Sequence, residues 1–178
     1  LCGSIVFVTP RTIEGVLEQV SSLNTAWKLA NLYLASIDAE RLADDAPRIV
    51  GLSEETTCYV SGQYFNAAGR FDDYLVHEAA HVFHNCKRER IGLRPTRTKE
   101  WLLEIDYPKR ETFAYACETY GRIVERGSGL RARQQLLADH ARGPMPADDR
   151  VETEEYLDIL GEAISARNGW KRILARCA

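Results

Sequence analysis

Hydrophobic and polar positions divide the chain into a front part with strand-like runs and a longer helical remainder. The apolar run Ser4-Ile-Val-Phe-Val-Thr9, closed by Pro10, predicts a short buried strand. From Thr12 the period changes. Ile13, Val16, Leu17 and Val20 share one helical face, as do Trp27, Leu29, Ala30, Tyr33 and Leu34, with a break near Ser21-Ser22 and a stop at Pro47. Two β-rich pieces follow, Arg48–Gly51 and Thr57–Ser61, the second rich in β-branched and aromatic residues. Gly62-Gln63 offers a turn, so the pattern predicts a hairpin of Thr57–Ser61 with Tyr64–Asn66.

Beyond this point the spacing is helical. Asp72 or Asp73 can cap a helix running to about Arg90, where basic residues and Gly92 stop it. Pro108 fits a first helical turn and opens a helix to about Arg126, followed by a hinge at Gly127-Ser128-Gly129. A further helix covers Leu130 to His140, and Gly143-Pro-Met-Pro146 is a loop. The remainder, Glu152 to about Ala175, is helical with a pause at Asn168-Gly169. The pattern therefore predicts an α+β chain, a small β-sheet packed on a helix with a mainly helical C-terminal part. Its length of 178 residues fits one domain, with a sheet half over 1–92 and a helical half over 93–178.

Composition narrows the classes. Hydrophobic residues make up 45% and charged residues 28%, as in ordinary globular chains. The net charge of −3 is too small to argue for nucleic acid or a membrane surface. No run approaches the roughly 18 apolar residues of a membrane span. The five cysteines form no CxxC pair and read as buried free thiols, a usage that leans towards the cytoplasm.

The chemistry is concentrated in Asp73-Tyr-Leu-Val-His77-Glu78-Ala-Ala-His81-Val-Phe-His84. On a helix, His77 and His81 lie about 40° apart around the axis and about 6 Å apart along it. Two imidazole nitrogens at that spacing can converge on one zinc ion at about 2.0–2.1 Å. Glu78, about 60° from His81, borders the metal without binding it, which is the position of a general base. Val76, Ala80 and Phe83 on one side, and Leu75, Ala79, Val82 and Cys86 on another, predict burial of this helix. Two histidines and a glutamate among apolar neighbours need a reason to be there.

His77, Glu78 and His81 resemble the signature of the zincin metallopeptidases, His-Glu-x-x-His on an active-site helix. The resemblance implies zinc-dependent hydrolysis of peptide bonds, with an upstream edge strand that binds extended substrate; Thr57–Ser61 or Tyr64–Asn66 is the candidate strand. A catalytic zinc takes a third protein ligand. His84 stands where metzincins have a glycine and Lys87 where they have their third histidine, so that subclass does not fit. His84 lies too far along the helix to share the ion and is expected behind the site or in the core. Glu111-x-x-Ala114 resembles the Glu-x-x-Ala element of some gluzincin-like families, including regulatory metallopeptidases of the ImmA/IrrE type, which implies Glu111 as third ligand.

Glu118, seven residues later and on the same face, is the alternative, although an ion pair with Arg122 offers it an ordinary occupation. Glu104 and Asp106 are remoter choices. Phe113, Cys117, Tyr120 and Val124 line the core side of that helix. The aspartate that gluzincins carry four residues after the ligand is replaced by Tyr115, so Asp73, Asn85 or a backbone carbonyl would have to orient the histidines. Tyr115 is then a candidate donor to the oxyanion. The resulting expectation is a metallopeptidase with His77, His81 and Glu111 on one zinc ion and Glu78 as base, acting on a peptide or protein. The competing expectations are a non-catalytic zinc-binding or interaction domain, and a helical regulator without metal.

Overall fold

The computed structural model describes residues 4–47, 49–64 and 69–178. Among these residues it is a mixed α and β chain of one three-stranded sheet and seven α-helices. Strand β1 (Ser4–Val8) leads through α1 (Ile13–Gln19) and α2 (Leu23–Ser36) to β2 (Gly51–Glu54) and β3 (Thr57–Ser61). The order across the sheet is β1-β3-β2, with β1 parallel and β2 antiparallel to β3. Parallel pairing of β1 with β3 needs a long crossover, and α1 and α2 lie within it. The break between them falls at the serine pair, where Ser22 accepts the Thr25 amide and caps α2.

The predicted hairpin is displaced. β3 is the central strand and pairs with the strand before it, β2, through Glu55-Thr56. Tyr64 is helical, and residues 65 and 66 of the expected second strand lie outside the described residues, as does Arg48 of the first β-rich piece. The turn hid itself because Glu55 takes the left-handed conformation, φ 49°, that sequence reading assigns to glycine or asparagine. Thr57–Ser61 is thus no edge strand; β2 is the edge beside the helix that follows.

That helix, α3 (Tyr74–Asn85), is capped by Asp73, whose carboxylate accepts the Val76 amide. It ends at Asn85 rather than near Arg90. From Cys86 the backbone is extended and pairs with 100–102, Leu102 donating to Cys86 and Glu100 accepting from Arg88, before a 3₁₀ turn at Arg88–Ile91. A second 3₁₀ turn carrying Pro108, Tyr107–Lys109, runs into α4 (Arg110–Arg126). Helices α5 (Leu130–His140), α6 (Thr153–Ser165) and α7 (Gly169–Cys177) complete the chain, α7 being capped by Asn168. No helix of the described residues is long and apolar enough to cross a membrane.

Two hydrophobic cores form among the described residues. Val8, Val16, Leu29 and Leu32 fill the space between the sheet and α1–α2. The larger core surrounds α4 with Phe113, Cys117, Tyr120, Ile123, Tyr156 and Ile159 among its buried members. α3 lies between them, packed on β2 and β3 on one side and on α4 on the other. The start of α4 is tied to α7 and α6: Asp106 donates to the Cys177 carbonyl at 2.8 Å, and Lys109 reaches Glu155 at 2.9 Å and the Arg176 carbonyl at 3.0 Å. Cys58, Cys86, Cys117 and Cys177 are free and buried.

Ala80 and Ala114 are both buried in the larger core, Ala114 completely. Ala114→Leu has no room there and should cost about 1–3 kcal/mol. A lowered urea midpoint is the expected reading; an unchanged midpoint would show space at this helix contact that the packing does not have.

Candidate metal centre

The helical spacing of His77 and His81 brings their Nε2 atoms to 3.1 Å from each other. Glu111, in the first turn of α4, places Oε2 at 3.3 Å from His81 Nε2 and 3.6 Å from His77 Nε2. These three residues form a group that could hold a metal ion. A tetrahedral ion with bonds of 2.0–2.1 Å has ligands about 3.3 Å apart, so the spacing fits. Glu118 is not part of this triangle, and Glu104 is exposed and outside it.

Glu118 has a different task. It is buried, and its Oε2 accepts from His77 Nδ1 at 3.2 Å while its Oε1 accepts the Asp73 amide at 2.5 Å. The Glu118–Arg122 pair expected from the sequence does not form. Arg122 reaches Asp73 at 3.3 Å and Glu125 at 2.9 Å instead, and donates to the Asp72 carbonyl. His81 is held from behind by His84, with Nδ1 and Nε2 of the two rings 2.9 Å apart. The Asp73 carboxylate therefore bonds neither imidazole, its amide supporting Glu118 instead, and Asn85 bonds neither ring.

Proton placement follows from these contacts. With Nδ1 of His77 donating to Glu118 and Nδ1 of His81 donating to His84, both Nε2 atoms present lone pairs. They face each other and a carboxylate oxygen. In neutral rings that arrangement is repulsive, and a cation at the shared point relieves it. His84 then keeps its own proton on Nδ1, which is buried without a hydrogen-bond partner. Burial, with His81 and Arg110 near, pushes its pKa down to about 4, so the ring is neutral at ordinary pH.

In the metal-free protein a proton does the cation's work. Burial opposes charge on His77, but hydrogen bonds to Glu111 and Glu118, with the charges of Glu118 and Glu78, lift its pKa to about 9. Burial likewise opposes charge on Glu111. Its hydrogen bonds to His77 and His81 and the charges of His81 and Arg150 win, and hold it well below the usual carboxylate range. Arg150, from the loop before α6, lies 3.2 Å from Glu111 Oε1 and leaves Oε2 for the histidines. It also pairs with Asp148 at 2.7 Å.

Glu78 stands beside the triangle and outside it. A Cβ on Gly51 would lie 2.8 Å from Glu78 Cγ and 3.0 Å from Oε1, so only glycine leaves the carboxylate where it is. Burial raises the Glu78 pKa; His77, His81 and Ser53 pull it back, and Glu111 adds to the rise. Tyr115 sets its ring edge-on to His77 at 4.4 Å. Burial and the charges of Glu118, Glu111 and Asp148 push its pKa up to about 12, so it stays a hydroxyl donor.

These groups open on a cleft of about 600 Å³, whose other wall includes Val50, Gly51, Leu52 and Ser53 of β2 and its approach. Val50 accepts from the Ser61 amide, so alternation along the β2–β3 ladder turns the backbone of Gly51 and Ser53 towards the free edge. Sequence reading missed Gly51, Arg150 and the role of Glu118. The spacing of Glu118 from Glu111, two helical turns, was a usable signal; Arg150 sits in an unpatterned loop and gave none.

Glu118→Gln keeps a partner for Asp73 but weakens the hold on His77, and should lower zinc affinity about 10–100-fold in competition with a chelator. Unchanged affinity would remove Glu118 from the support of the site. The raised His77 pKa fixes the pH dependence. A divalent ion must displace that proton, so apparent zinc affinity should rise by up to about tenfold per pH unit towards pH 9 and then level off. In the metal-free protein the sign reverses. The stability contributed by charged His77 is complete below its ordinary value of 6.5 and is lost as pH rises through about 9, which thermal unfolding across that window should register.

Compared with protein-family models, curated proteins and solved structures, the chain matches none of them.

Proposed function

We propose that the protein is a zinc-dependent metallopeptidase of the zincin kind, with His77, His81 and Glu111 as ligands and Glu78 as general base. The observation that carries this reading is the convergence of two imidazole nitrogens and one carboxylate oxygen within 3.1–3.6 Å, beside a second carboxylate, Glu78, that stays off the shared point. A zinc ion held there would polarise a carbonyl and lower the pKa of a water.

The residues of the chain supply the rest. Glu78, whose pKa burial raises from its ordinary value, is the better proton acceptor for it, and can return the proton to the leaving amine. Tyr115, kept protonated, is a donor for charge that develops on the carbonyl oxygen. The outward backbone of Gly51 and Ser53 offers hydrogen bonds to an extended peptide laid along β2, which favours a peptide over a compact small molecule. Glu118 and His84 fix the two rings so that little reorganisation is needed when an ion arrives.

Glu78→Gln should bind about one equivalent of zinc by elemental analysis and lose on the order of 10²–10⁴-fold in turnover of a peptide library. Full turnover in that variant would remove Glu78 as base. A wild-type protein that holds zinc and cuts nothing would instead favour a non-catalytic metal-binding domain, and one without zinc a metal-free regulator. Gly51→Ala is a gentler test. It displaces the Glu78 carboxylate without touching a ligand, so kcat should fall while zinc affinity is kept.

A further inference from the structure

We infer that the cleft selects substrates with a carboxylate close to the scissile bond, held by the Arg110 guanidinium with Lys28 as a second cation. The inference rests on the peptidase reading and narrows its substrate class.

The first ground is charge. Lys28, Arg110 and Arg150 line the cleft together with Glu78, Glu111 and Asp148, so cations and carboxylates balance. A divalent ion on neutral imidazoles then adds two positive charges, of which the Glu118 carboxylate behind His77 offsets one, in a recess of a chain whose net charge is −3. A recess lined in that way concentrates anions.

The second ground is that the compensation inside the cleft is unevenly shared. Arg150 is engaged by Glu111 and Asp148. Lys109, next to Arg110, is neutralised by Glu155. Arg110 and Lys28 pair with no carboxylate among the described residues. The Arg110 guanidinium lies over the Tyr107 ring at 4.8 Å, which steadies it, and its Nε is buried without a hydrogen-bond partner.

Position adds a third. Arg110 is the first residue of α4, where the positive end of the helix dipole disfavours a cation and attracts an anion. A planar guanidinium that the Tyr107 ring already orients, and that no carboxylate of the described residues engages, suits an incoming carboxylate, which it can meet with two parallel hydrogen bonds. Arg110 also lines the same cleft as His77, His81 and Glu111, so an anion held there lies on the side of the proposed metal ligands.

The source of the carboxylate, an acidic side chain or a free C-terminus, is separated by a set of four peptide hydroxamates. They carry either aspartate or asparagine beside the hydroxamate and end in either a free acid or an amide. Titrated calorimetrically into zinc-loaded protein, an acid-bearing member should bind about tenfold or more tighter than the asparagine amide. Whichever acid carries the gain identifies the source. Arg110→Ala should abolish the gain and leave the neutral hydroxamate unaffected. Arg110→Lys should keep part of it, and Lys28→Ala, on a different helix, should reduce it. Equal binding of all four ligands, or a gain that survives Arg110→Ala, overturns the inference while the metal reading stands. Failure of every hydroxamate to bind zinc-loaded protein overturns the metal reading, and the inference falls with it.

Discussion

Two imidazole lone pairs and a carboxylate oxygen aimed at one point repel one another unless something positive lies between them. Much of the surrounding structure serves to keep them aimed there. Glu118 and His84 stop the two rings from turning away, and the Asp73 amide holds Glu118 in turn. Arg150 takes one oxygen of Glu111, which leaves the other facing the histidines. In the absence of an ion, a proton on His77 meets the same electrostatic demand, so the geometry survives as a protonated, ion-paired cluster. The three groups are thereby held where they could take a metal ion, and the cost of holding them together falls on the fold.

That cost is borne unequally by the two cores. Both histidines project from α3 and Glu111 from α4; the hydrogen bonds that fix the two rings come from the same two helices, while Arg150 of the loop before α6 holds Glu111. Glu78 turns the other way, towards Gly51 and Ser53 on the sheet. The residues proposed as ligands and the residue proposed as base thus draw on different packing, one helix to helix and the other helix to strand. α3 is the element they share, with a polar group on each of the faces that need one.

Much of this was legible in the sequence where a local rule applies. The four-residue spacing of His77 and His81, the break at Ser21-Ser22, the proline at the entrance to α4 and the pause at Asn168-Gly169 all express backbone geometry over a few residues. What escaped depends on contacts between distant segments. The β2–β3 turn is closed by Glu55 in a conformation that its side chain does not advertise. The end of α3 came early because residues 100–102 offered the backbone other partners. Glu118 looked like a partner for Arg122, but α4 carries it into the interior against His77, while Arg122 is drawn to Asp73 and Glu125. The triangle itself lay between these cases: its histidines share one turn, and its carboxylate comes from a separate helix.

The anchoring of the α4 entrance has a consequence for how the protein is made. Glu111 lies two residues beyond a segment whose backbone and lysine are fastened to Cys177, Arg176 and Glu155. During synthesis the paired rings emerge from the ribosome long before those fasteners do. A nascent chain can therefore present its imidazoles to solution while their carboxylate is still unseated. Assembly of the three groups becomes a closing event of folding, set by docking of the last helix.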